Sequence, residues 1–90
     1  MKKYTFDFSQ IEDNPAFYQR FSELLSLSKG VVHDLDSLWE VVTGAAFSLP
    51  AEIEFTHLPE NKRRRFGALI LLFDEAEEEL EGQLRFNIRS

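Results

Sequence analysis

Cysteine is absent from the 90 residues, which excludes disulfides and thiolate metal sites and is compatible with a reducing cytoplasm. Long apolar runs are also missing. The longest, ALILLF at Ala68 to Phe73, falls far short of the roughly 20 residues a membrane-spanning helix needs. The amino end, MKKYTFDFSQ, meets Asp7 where a secretory signal would turn apolar. No GxxxxGK[ST] or GxGxxG loop is present, and Ser26, Ser28 and Ser37 lack the glycine frame of a nucleophile elbow. His33 and His57 stand alone, without the HxxxH or HxH spacing of zinc ligands. The expectation is therefore a chain with no catalytic residue, no metal and no cofactor. Basic residues are in the minority as well. Sixteen acids against ten Lys and Arg leave a formal charge of −6, which disfavours nucleic acid or an anionic membrane as partner and favours a basic one.

What is present suits one compact domain over residues 1–90, with nine phenylalanines and a tryptophan supplying much buried area per residue. Tyr4, Phe6 and Phe8 alternate with Lys3, Thr5 and Asp7, as in a half-buried strand. A helix follows, capped by Asp13 or Asn14 ahead of Pro15, with Phe17, Phe21, Leu24 and Leu25 as its apolar stripe and Gly30 as its exit. Val31 and Val32 are unusual in the loop SLSKGVV, where β-branched residues disfavour most turns, so that loop is expected to pack onto something. A second helix is predicted from Leu35 to Thr43, with Asp34 as N-cap, Gly44 as stop and a buried Trp39 sharing the apolar phase of Leu35, Leu38 and Val42. Pro50 opens a strand over Ala51 to Phe55, and Pro59 starts a short basic helix or turn. A longer helix from Phe66 to Leu80 has Leu69, Leu72, Phe73, Ala76 and Leu80 as its apolar stripe, and Gly82 ends it before a last strand, Leu84 to Ile88. Strands separated by helices imply an α/β fold with a three-stranded parallel sheet packed with helices.

The helical phase places Asp36, Glu40 and Thr43 on a face away from the core, with Asp34 just before them. Like charges one turn apart repel. Aspartates suit a helix start, where free N–H groups face them, but Glu40 lies toward the end, where a carboxylate is unfavourable. Two readings stand: a solvated acidic face, or a face that binds cations on another protein. A convex helix offers no cleft for paired catalytic acids and no converging shell for calcium or magnesium. Lys62 to Arg65, KRRR, is the one basic cluster and the one candidate contact for RNA. Balance by Glu52, Glu54 and Glu60 is its plainer reading.

The run LDSLWEVVTG, Leu35 to Gly44, resembles the signature helix of the barstar family: leucine, aspartate, x, leucine, tryptophan and an acid, then threonine and glycine. Pro50 with AEIEF resembles the strand that follows it, and LLFDEAEEEL resembles the family's last helix. Order and spacing agree over essentially the whole chain, apart from one apparent inserted residue before Pro50. The resemblance implies a barstar-like fold and an inhibitor that plugs the active site of a small basic ribonuclease similar to barnase, its acids standing in for RNA phosphates. It implies that Asp36 and Glu40 are the principal contacts, Glu75 a peripheral one, and Asp34, Thr43, Gly44 and Val31 neighbours in the interface. A cytoplasmic protein, monomeric when free and bound 1:1 to the nuclease without touching nucleic acid or membrane, completes the expectation. The chain departs from the family where it has Glu40 in place of an aspartate. It departs again where Lys29, Gly30 and Val31 stand in place of a loop aromatic, and where Ala45 stands in place of a second tryptophan. A divergent nuclease or another basic toxin therefore stays open as the target.

Overall fold

The computed structural model describes residues 1–45 and 47–90. In chain order it contains β1 (Lys2–Asp7), α1 (Asn14–Leu24), α2 (Leu35–Thr43), β2 (Ala51–Thr56), α3 (Glu60–Arg63), α4 (Gly67–Glu79) and β3 (Leu84–Ile88). The three strands form a parallel sheet in the order β1-β2-β3, with Tyr4 opposite Ile53 and Ile53 opposite Phe86. This is the α/β arrangement that the alternating segments imply. β1 ends one residue before Phe8, yet the Phe8 N–H still donates to the Thr56 carbonyl at 2.9 Å, so the ladder continues through it.

The core is built from rings. Eight of the nine phenylalanines are buried, and Phe86 packs against them. Phe55 on the central strand has Phe6, Phe8, Phe17, Phe73 and Phe86 around it, with ring centroids 4.7 to 5.9 Å apart and mostly edge-to-face. That geometry sets the positive edge of one ring against the negative face of the next.

Asp13 caps α1 by accepting from Ala16 N at 2.9 Å. The helix ends six residues before the glycine expected to mark its exit, because Ser26 takes a left-handed conformation (φ 55°). Leu27 N then reaches the Ser22 carbonyl and Ser26 N that of Glu23, the paired closure usually built on glycine. Glu81 (φ 52°) closes α4 in the same way, with Gly82 continuing the turn.

The sheet's outer face is polar. Glu54 was expected to balance the basic cluster, but it is 6% exposed between Lys3 (3.5 Å) and Arg89 (2.9 Å), while Glu52 takes Asn87 and Lys3. Parallel pairing explains this, since it aligns side chains of adjacent strands and brings these groups together before any loop can reach them. On the β3 edge, Glu77 Oε2 accepts from Phe86 N at 3.2 Å, which occupies a donor that an edge strand would otherwise leave free.

Phe55→Ala removes the ring on which the others converge. It should cost about 3–5 kcal/mol, read as a large drop in the midpoint of urea unfolding; a change below about 1 kcal/mol would contradict the placement of Phe55 at the centre.

Candidate functional site: the acidic face of α2 and its groove with α4

A nine-residue helix has too few internal hydrogen bonds to hold its own shape. α2 is fixed from outside. Leu38 and Val42 are wholly buried, and Asp34 caps the start: its Oδ1 accepts from Ser37 N at 2.8 Å, while Ser37 Oγ accepts from Asp34 N at 3.1 Å. Ser37 N and Ser37 Oγ, the latter 2.7 Å from Oδ1, both donate to the Asp34 carboxylate and hold it below the ordinary aspartate range, with His33 Nε2, 3.3 Å away, adding to the effect. At the other end Gly44 is not in a left-handed conformation; its reason is space. A Cβ there would lie 2.6 Å from the Glu40 carbonyl oxygen.

Asp36 and Glu40 are both exposed, one turn apart, and neither has a cation within 4.0 Å among the described residues. Thr43 is half-buried and donates its hydroxyl to the Trp39 carbonyl at 2.7 Å. Across from α2 lies α4, which carries Asp74, Glu75, Glu77, Glu78 and Glu79. Neither helix contains a lysine or arginine. The Asp74 carboxyl is raised by burial and then by the neighbouring Glu77 charge, as expected where carboxylates outnumber cations.

The geometry brings Asp36 and Glu75, 39 positions apart in the chain, to a shared groove between α2 and α4. Its walls come from Leu35, Trp39, Ala68, Leu71 and Leu72. Trp39 is thus half-buried rather than buried. Its apolar phase is as expected, but Leu38 and Val42 fill the core-facing positions, and the large indole is left between the helices with one side open. Leu71 escaped the helical stripe entirely. The signal was in ALILLF, which is apolar in every phase, more than a helix with one buried face requires. In the loop before α2, Val32 packs into the core while Val31 stays 42% exposed, so the expectation of packing holds for one valine of the two.

The basic cluster is split. Arg63 donates from Nε to the Leu58 carbonyl at 3.0 Å and from Nη2 to Ser90 Oγ at 3.3 Å, so its charge serves to tie α3 to the chain end. Lys62, Arg64 and Arg65 remain exposed. Phe66, the aromatic beside them, is 3% exposed and presents no face on which a base could stack. Among the described residues no three His, Cys, Asp or Glu side chains are placed to share a metal ion.

The family model described as Barstar (barnase inhibitor) matches residues 1–89. The chain belongs to the barstar family. Barstar membership agrees with the three-stranded parallel sheet and its helices, and it supports a barnase-inhibitor-like role in general terms, with a ribonuclease as the class of partner the family implies. Among the described residues no helix is long and apolar enough to cross a membrane.

Two outcomes follow from how α2 is held. Gly44→Ala should lower stability by about 1–3 kcal/mol, since the new methyl must displace the Glu40 carbonyl; an unchanged melting temperature would mean that the turn yields freely. Asp34 has a depressed carboxyl in the folded protein, so its stabilisation is present above the ordinary aspartate pKa and is lost as pH falls through the folded value. The gap in melting temperature between wild type and Asp34→Ala should therefore be widest near neutrality and narrow in acid. Asp7, also depressed, by Ser9 and then His57, contributes to both proteins equally and leaves the difference intact.

Proposed function

We propose that this barstar-family protein inhibits a small basic ribonuclease by setting the acidic face of α2 into the nuclease's phosphate-binding cleft. The observation that carries the reading is the pair Asp36 and Glu40, exposed one turn apart with no intramolecular cation among the described residues. Two carboxylates at that spacing can occupy the places of successive phosphates, and the nuclease's lysines and arginines supply the missing counter-charge. Asp34, Thr43, Gly44 and Val31 border this pair, and Glu75 reaches the edge of the contact from α4. Of these, Asp34 and Gly44 act mainly by holding α2 in shape, since the Asp34 carboxylate is occupied by Ser37 and Gly44 leaves room for a carbonyl.

The charge of −6 steers a basic partner during encounter, so association should slow as salt rises. A 1:1 complex of two monomers in the cytoplasm fits a helix face this small. Glu40 is one methylene longer than the family's aspartate, and Lys29, Gly30, Val31 and Ala45 stand where the family has aromatics, so a divergent nuclease stays open beside barnase as the target.

The test is inhibition and binding of barnase by wild type, Asp36→Ala and Glu40→Ala. Glu40→Ala should weaken binding by roughly 2–5 kcal/mol, a range carried over from charge pairs in the family's own barnase complex, and Asp36→Ala by somewhat less. Both variants should melt at or slightly above wild type, because each relieves repulsion on an exposed helix. Neutralising Lys62, Arg64 and Arg65 together should leave inhibition intact; loss of inhibition there, with the acidic variants unaffected, would move the contact to α3.

A further inference from the structure

An exposed leucine alone is ordinary. Leu71 is less so. It is 58% exposed on α4, outside that helix's buried stripe, and it lines the groove together with the half-buried Trp39, Leu35 and Leu72. Asp36 and Glu75 line the same groove, both exposed and without an intramolecular cation among the described residues. The groove is thus an apolar seat with a carboxylate on either helix, continuous with the acidic face of α2.

We infer that Leu71 is a specificity-determining contact: the α2/α4 groove receives an aliphatic or aromatic side chain that the basic nuclease presents beside its cationic cleft. The inference rests on the function proposed above and adds to it the apolar half of the partner's chemistry. Burying an apolar side chain against Leu71 and Trp39 removes water from around Asp36 and Glu75. Ion pairs made there then act in a less polarisable surrounding and are stronger than the same pairs in water. A bare cationic partner could neutralise the two acids but would leave Leu71 in solvent. Charge therefore governs encounter, and the groove governs how long the complex lasts and which basic protein is kept.

Binding kinetics against barnase, measured at several salt concentrations for Leu71→Ala and Leu71→Met, test this. Leu71→Ala should dissociate about tenfold faster, with association and its salt dependence as in wild type, because no charge has changed. Leu71→Met, which keeps an apolar side chain of similar volume, should dissociate nearly as wild type does. Heat unfolding of Leu71→Ala should lie close to wild type, since most of the side chain is already in water. Dissociation of Leu71→Ala at the wild-type rate, while Asp36→Ala and Glu40→Ala weaken binding, would overturn the groove and leave the acidic face standing. Failure of Leu71→Met to restore slow dissociation would likewise overturn it. If the charge variants bind as wild type does, the acidic-face reading falls and the groove with it.

Discussion

Everything proposed for this protein depends on a nine-residue helix keeping its shape while carrying charges that oppose it. Asp36 and Glu40 repel each other, and Glu40 stands in the last turn, where the helix dipole disfavours an anion. Each effect is worth a few tenths of a kcal/mol to about one at an exposed site. Burying Leu38 and Val42 contributes about 1.5–3 kcal/mol for each side chain, and the Asp34–Ser37 box adds its own hydrogen bonds. The comparison decides the matter: packing and capping outweigh the repulsion, so the face can stay uncompensated without unfolding the helix. Such a face is free to find its counter-charge on another molecule.

The chain does compensate charge elsewhere. Glu54, nearly buried on the outer side of the sheet, sits between Lys3 and Arg89, and Arg63 is tied down by a carbonyl and a hydroxyl. In the sheet, unpaired burial of a carboxylate would be costly, so its partners are built in. Asp36, Glu40 and Glu75 remain in water, where lacking a partner costs little. An intramolecular partner thus separates the structural carboxylates Glu54, Glu77 and Asp34 from those available for binding.

Much of this was legible in the sequence because period and punctuation coincide. Alternation over Tyr4 to Phe8, Ala51 to Phe55 and Leu84 to Ile88 marked the strands, and Asp34 and Gly44 marked both ends of α2 within a residue. The family motif overlies the same helix, so the candidate acids are visible in the sequence itself. The exit of α1 was not legible, because Ser26 and not a glycine takes the left-handed position. Nor was the groove. Phase says which side of α2 and of α4 faces inward, but only the packing of the two helices shows that Trp39 keeps an open side and that Leu71 joins it.

The placement of Trp39 links the packing of α2 to its acidic face. A tryptophan at that phase in a larger protein would be covered by further chain. Here α2 packs against α4, and the indole between them is only partly sheltered. The stability forgone by leaving it open is modest, since Leu38 and Val42 already anchor the helix. What the opening provides is an apolar surface bounded by carboxylates, the composition that separates a durable contact from an electrostatic encounter. On that view the half-buried tryptophan and the unpaired acids are one feature. Each leaves incomplete what a partner with the matching pair, a cation beside an apolar side chain, would complete.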